Sequence, residues 1–247
     1  MGSDMRPRGM GRRMFDVSRD VSVRILKVGR ENQPLLIVDK VLAAPQEIID
    51  HAAGADFYVP PHTHYPGANA NVPEGYYRTV INLLRQPLEA AFGVSRRGYL
   101  NYFGFLGLST QAATDATPAQ RVPHVDSYDP NRLAMVHYLC SETYGGTGFF
   151  RHQASGFESV DQSRAKTYVD SAMAERAHAD LQYPAFPAEG MPLYDLIGKS
   201  DAVFNRLIVY RSHVFHAPLL GEGGASPDPR LGRLTANGFI TPVSPGA

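Results

Sequence analysis

Cysteine is almost absent. Cys140 is the only one in 247 residues, which excludes an intrachain disulfide and any multi-thiolate zinc site. That usage fits a reducing cytoplasm, the compartment expected here. Cys140 ends the strand-like run RLAMVHYLC and is expected to be a small buried hydrophobe rather than a nucleophile. An excess of either charge is missing too: Lys+Arg and Asp+Glu both number 24, so no summed field would draw the chain onto nucleic acid or an anionic membrane. No apolar run approaches the length of a membrane span, and nothing near the start reads as a signal peptide. There is no long basic groove, aromatic stacking series or peptide-binding repeat. The expected partner is a small molecule, with no nucleic acid and no membrane, and the expected state is a monomer or homodimer.

What is present suffices for one sizeable core, since 43% of the side chains are hydrophobic. The start, MGSDMRPRGMGRR, sets four arginines against Asp4 in a Gly-rich stretch, and residues 1–20 read as a flexible basic tail ahead of a single domain, 21–247. VSVRILKV (21–28) and PLLIVDKVL (34–42) read as strands. PQEIIDHAAGA (45–55) and PEGYYRTVINLLRQPLEAAF (73–92) carry apolar residues at helical spacing, each with a proline placed to start it, and Pro87 is expected to break or kink the second. YVPPHTHYPGANANVP between them reads as loop. From residue 98 strand signals dominate, in YLNYFGFLGLST, RLAMVHYLC, TGFFRH, RLIVYRSHVFHAPL and GRLTANGFITPV, with one helix-like insertion at 159–181. The expected fold is mainly β within an α+β class: N-terminal strands and helices over 21–97, then a jelly-roll core over 98–247 with the N-terminal helices packed outside it.

RVPHVDSYD (121–129) places His124 and Asp126 one residue apart. In an extended strand alternate side chains share a face, so imidazole and carboxylate project together while Val125 points the other way. Two ligands alone bind weakly, and an HxD triplet arises readily by chance. Here it is followed by NRLIVYRSHVFHAPL, a strand ending in two histidines, and by GRLTANGFI, which opens with Arg233. Two imidazoles and a carboxylate on one face of an octahedral Fe(II) leave three positions for 2-oxoglutarate and O2. A guanidinium can then hold the far carboxylate of that cosubstrate as a bidentate pair.

The stretch from His124 to Ile240 resembles the double-stranded β-helix core of Fe(II)- and 2-oxoglutarate-dependent oxygenases. GGTGFFRH, NRLIVYRS and GRLTANGFI are similar to a little-characterised bacterial branch of that superfamily. The resemblance implies His124, Asp126 and His216 as iron ligands and catalytic centre, with Arg233 and Thr235 binding the cosubstrate carboxylate. His213 and His216 lie three apart and face opposite ways on a regular strand; the family's ending, Ser212 followed by HVFH, selects His216. His216 and Arg233 are seventeen positions apart, wider than usual, so GEGGASPDPR is expected to form a longer hairpin loop that leaves Arg230 as a competing partner for the carboxylate. A carboxylate at Asp126 argues against a halogenase. The implied reaction oxidises an unactivated C–H bond of a small molecule, an amino acid or biosynthetic intermediate, by hydroxylation, desaturation or oxidative cyclisation, with release of succinate and CO2.

Other polar residues are candidates for holding substrate: Arg151 and His152 in GTGFFRHQ, then Arg211, Arg121 and His64. His62 and His64 form an HxH pair that would suit a cupin-type metal enzyme. That reading is the first alternative, but the pair lies in a Pro/Gly loop, where a substrate-covering role is the simpler expectation. A non-catalytic jelly-roll binding protein is the second alternative, and retention of all four key residue types argues against it. His137, inside AMVHY, is expected in the core.

Overall fold

The computed structural model describes residues 15–61, 65–111, 115–177, 184, 186–220 and 225–243. Along them run β1 (Ser22–Val28), β2 (Gln33–Asp39), α1 (Gln46–Ala53), β3 (Gly67–Asn71), α2 (Glu74–Phe92), β4 (Tyr99–Ser109), β5 (Leu133–Tyr138), β6 (Thr147–His152), α3 (Ala165–Ala177), β7 (Tyr194–Ser200), β8 (Arg206–Arg211), β9 (His216–Pro218) and β10 (Arg233–Val243). The strands form a large sheet, β1-β2-β8-β5-β10-β4-β3, and a small one, β7-β6-β9. A single antiparallel bridge, His124 to His216, extends the small sheet. From β4 onward the chain visits the sheets in the order large, small, large, small, and then in mirror image: small, large, small, large. That winding is a double-stranded β-helix. Among the described residues no helix is long and apolar enough to cross a membrane.

Strand periodicity explains which residues go where. In β10, Leu234, Ala236 and Ile240 face outward and join a core with Leu207 and Val209 of β8 and Leu106 and Leu108 of β4. Against this outer face lie α1, through Ile48, Ile49 and Ala52, and α2, through Tyr76, Val80, Leu84, Leu88 and Phe92. The helices thus pack outside the jelly roll, as their apolar stripes require. The alternate residues of β10, Arg233, Thr235, Asn237 and Phe239, face the space between the sheets. The small sheet obeys the same rule: Phe150 of β6 packs on its outer face with Tyr194, Phe215 and residues of α3, whereas Phe149 turns inward toward Tyr210.

Four sequence expectations are corrected. Phe15 and Val17, inside the stretch read as tail, are packed: the Phe15 ring is buried against Tyr76, its N–H donates to Glu47 Oε2 at 2.9 Å, and Val17 bridges to Leu42. Pro87 does not interrupt α2, because buried Leu84, Leu88 and Phe92 hold one continuous stripe across it; the helix ends instead at Gly93, whose φ of 71° is the left-handed stop glycine favours. GANAN is not loop but the edge strand β3, paired with β4. Its small residues suit the site, since a Cβ on Gly67 would run into the Leu108 carbonyl. RLIVYRSHVFHAPL is two strands, not one: residues after Arg211 turn, with Val214 N–H donating to the Arg211 carbonyl at 3.1 Å, and carry the chain from the large sheet to the small. β7, YDLIGKS, has no counterpart in the sequence reading.

Candidate metal and cosubstrate site

Backbone pairing brings the HxD triplet to the distal histidine. His124 and His216 exchange both main-chain hydrogen bonds at 3.0 Å, and the Asp126 N–H donates to the Ser212 carbonyl at 2.9 Å. Val125 packs with the outer apolar cluster of the small sheet, so its neighbours point inward together, as the alternation predicts. The donor atoms of His124, Asp126 and His216 all lie within 4.8 Å of one another. Asp126 Oδ2 is 3.3 Å from His216 Nε2, and Oδ1 is 3.7 Å from His124 Nε2. Adjacent donors of an octahedral ion, each about 2.1 Å from the metal, sit about 3 Å apart, so the cluster is close to ligating geometry.

The protonation pattern also suits a metal. His216 Nδ1 donates to the Val214 carbonyl at 2.9 Å, which fixes the ring and turns Nε2 toward Asp126. The Asp126 backbone is exposed at the rim, but its carboxylate is turned in, with 20% of the side chain accessible. Burial alone would raise the carboxyl; the charge and hydrogen bond of His216, with His124 and Arg132, outweigh it and hold the group below its usual range. Burial lowers His216, and the Asp126 carboxylate more than reverses that. A carboxylate kept ionised between two imidazoles is the donor set of a two-His, one-carboxylate iron site, with room for further ligands.

At the other end of the same face, Arg233 is 5% exposed. Its Nη2 donates to the Gly146 carbonyl at 3.3 Å, and its Nε is buried with no partner among the described residues. A buried guanidinium short of an acceptor invites an anion. Thr235 follows on the same face, and the Tyr138 hydroxyl donates to Thr147 Oγ1 at 2.7 Å. Burial pushes the Tyr138 phenol up to about 12, so it stays a proton donor. Arg230 is half exposed and faces Asp50 on α1 at 3.5 Å. It therefore does not compete for this position.

One cavity of about 660 Å³ joins the two ends: His124, Asp126, His216 and Arg233 all line it. Cross-strand register orders its wall. Arg233 pairs with Ser109, Asn237 with Phe105 and Val136, and Phe239 with Phe103 and Ala134. Ala134 in turn pairs with Tyr210, whose ring lies 4.7 Å from that of His216. The wall thus runs from a polar end at Arg233 to an aromatic end beside the triad.

Of the substrate-holding candidates, the four among the described residues, Arg151, His152, Arg211 and Arg121, do not line this cavity. His152 faces out of the small sheet, fully buried, bonded to Glu175 of α3 at 2.9 Å. Arg151 pairs with Asp195 at 2.7 Å. Arg211 donates to the Pro130 carbonyl at 2.5 Å and lies over Phe92; Arg121 donates to the Ala116 carbonyl at 3.0 Å. Each already has an acceptor elsewhere. His62 and His64 lie outside the described residues. His213 sits in the turn before β9, buried and away from the triad. His137 is in the core, as expected, and Cys140 is buried with its thiol raised by that burial. Asn237 and Phe239 were readable in principle, as the next inward residues after Arg233 and Thr235. Tyr65, Asn69 and Tyr210 carried no such signal.

Among solved structures, the chain is similar to HygX from Streptomyces hygroscopicus with nickel and 2-oxoglutarate bound, at 11% identity and TM-score 0.49 over 86% of this chain and 84% of that one. It is also similar to a Pseudomonas putida prolyl-4-hydroxylase, at 14% identity and TM-score 0.39 over 87% and 90%. A third is an N-substituted L-amino acid dioxygenase from Burkholderia ambifaria, at 9% identity and TM-score 0.43 over 92% and 95%. No curated protein matches the sequence. A sequence-family match covers residues 19–240, and by it the protein belongs to the family of unknown function DUF6445.

Proposed function

We propose that the protein is a non-haem Fe(II)- and 2-oxoglutarate-dependent oxygenase of a small molecule. The observation that carries this reading is the pairing, in one cavity, of a His-Asp-His cluster with a buried, under-partnered arginine. His124, Asp126 and His216 would hold Fe(II), and Arg233 and Thr235 the distal carboxylate of 2-oxoglutarate. When bound, metal and cosubstrate supply O2 activation, with 2-oxoglutarate decarboxylated to succinate. The chain's own residues bind and orient. Val214 fixes the His216 tautomer through its carbonyl; Asp126 contributes the negative charge that offsets the cation; Tyr138 and Thr147 present hydroxyls near the arginine. The sheets shield the Arg233 end from water, which strengthens its pairing with an anion. The outcome we expect is hydroxylation, desaturation or ring closure at a C–H bond.

The direct test is anaerobic addition of Fe(II) and 2-oxoglutarate to the purified protein. Chelation of iron by the 2-oxo acid gives a weak visible charge-transfer band. We expect it in the wild type and not in Asp126→Ala, which should stay folded yet fail to retain iron. A wild-type protein without the band, or an Asp126→Ala variant that keeps it, overturns the assignment.

A further inference from the structure

With the triad assigned to iron and Arg233 to the cosubstrate, one cation near the cavity stays unused among the described residues. Arg132 immediately precedes β5 and shares the inward face of Ala134, a lining residue two positions on. Its carbonyl accepts the Ser212 N–H at 2.9 Å, and the carbonyl of Ser212 accepts the Asp126 N–H. Arg132 therefore sits one step further out than the Ala134–Tyr210 pair, beside the strand end that carries the triad's carboxylate. Its guanidinium lies 4.3 Å over the ring of Phe239, another lining residue.

What the guanidinium lacks is an acceptor. Nε is buried without a partner, and among the described residues no ion pair engages Arg132. By contrast, Arg121, Arg151, Arg164, Arg206 and Arg211 each have an oxygen acceptor. Stacking on Phe239 restrains the planar group without using its N–H donors. Next to it the wall is aromatic: Phe239 pairs with Phe103, which is 63% exposed, and Phe105 lies 6.0 Å from Phe103. An exposed apolar shelf beside an unsatisfied cation is complementary to a molecule with an apolar body and an anionic end.

We propose that Arg132 anchors a carboxylate of the substrate at the triad end of the cavity, with the substrate's apolar, aromatic-sized body laid on Phe103 and Phe239. This rests on the oxygenase reading, which reserves Arg233 for 2-oxoglutarate and leaves Arg132 for the substrate. It deepens that reading by naming the substrate class: a small organic acid with an apolar body. Arg132 acts as a specificity-determining residue that touches substrate, remote from the polar end of the wall.

The test needs binding rather than turnover. Benzoate, phenylacetate and 3-phenylpropionate, each beside its primary amide, are titrated calorimetrically into protein loaded with Ni(II), with and without saturating 2-oxoglutarate. We expect at least one acid to bind about tenfold or more tighter than its amide, the discrimination that a charged hydrogen-bonded pair provides. Saturating 2-oxoglutarate should leave that preference in place. Arg132→Gln should bring acid and amide to the same affinity, and Arg132→Lys should keep part of the preference, which separates loss of charge from a folding defect. Equal binding of every acid and amide by the wild type, absence of binding by all three acids, or an unchanged preference in Arg132→Gln overturns the proposal. If the preference is abolished by Arg233→Gln or by 2-oxoglutarate instead, the anion belongs to the other end of the cavity and the proposal fails while the oxygenase reading stands. If 2-oxoglutarate itself does not bind, the oxygenase reading fails, and the acid-over-amide preference is still measured in its absence.

Discussion

Two arginines and two histidines, close in sequence and alike in chemistry, have separable fates here. Arg233 is buried with an unpartnered Nε, whereas Arg230 is half exposed against Asp50. Truncating one side of a buried charge pair costs about 2–5 kcal/mol, so Arg233→Ala should raise the 2-oxoglutarate requirement by about 25- to 4,000-fold. Iron should be retained, because the ligands are untouched. Arg230→Ala should stay near wild type, since exposed pairs contribute little. Succinate formation against 2-oxoglutarate concentration checks both; a defect in Arg230→Ala would move the anion site to the loop. Likewise, His216→Ala should abolish turnover and metal retention, whereas His213→Ala, which removes a buried ring in a turn, should lower thermal stability and leave the metal bound. Metal content after desalting distinguishes them.

At the scale of elements, the small residues of β3 are what allow the large sheet to end there. Gly67 faces Ser109 in the register with β4, and a Cβ would meet the Leu108 carbonyl. Gly67→Ala should therefore destabilise the protein by about 1–3 kcal/mol through backbone displacement, seen as a lower denaturant midpoint. A midpoint unchanged from wild type would mean that the edge accommodates the methyl. This strand shows what the sequence could not convey. GANAN carries neither β-branched nor aromatic residues, and its pairing is a property of the partner β4 rather than of its own propensity. β7 was missed for another reason: its apolar residues Tyr194, Leu196 and Ile197 do not keep a strict alternation, and its pairing with β6 is irregular between Leu196 and Gly198. At the break after Arg211, nothing in RSHVF marks the change of sheet. The site was more legible than its surroundings. HxD, the distal histidine and Arg233 with Thr235 are fixed by period-two alternation within short strands. Arg151, His152, Arg211 and Arg121 were not separable from them by residue type, because only tertiary partners such as Glu175 and Asp195 show that these groups are already engaged. Arg132 escaped the sequence reading for the converse reason: its lack of a partner is visible only in three dimensions.

For the whole molecule, α2, the large sheet and the segment that follows β2 are tied through one buried imidazole. His137, on the helix side of β5, accepts from the Tyr76 hydroxyl of α2 at Nδ1 (2.9 Å) and donates from Nε2 to Asn205 Oδ1 (3.1 Å). Asn205 also bonds both main-chain groups of Leu42, its Nδ2 donating at 2.9 Å and its Oδ1 accepting at 3.0 Å. This set fixes the neutral Nε2–H tautomer. Burial lowers the His137 pKa from 6.5 to about 4, the Asn205 bond offsetting only part of the effect. Between these values the unfolded chain binds a proton that the folded one does not, so stability rises with pH across the window and falls as pH drops from 6.5 toward 4. The full difference, at 1.36 kcal/mol per unit, is about 3 kcal/mol. His216 acts in the opposite sense: its raised value contributes stability at low pH that is lost as pH rises through it. Asp39 and Glu31, whose ion pairs overcome burial and lower their values, act with His137 but below the ordinary carboxylate range. The His137 contribution is isolated by difference. In metal-free protein, His137→Gln should be less stable than wild type at pH 7.5, having lost the fitted ring, but its stability should fall less between pH 6.5 and 4.5. Urea midpoints for the two proteins over that range provide the measurement. Parallel curves would mean that His137 is protonated as easily folded as unfolded, and that the link from α2 through β5 to Leu42 is not closed to the proton.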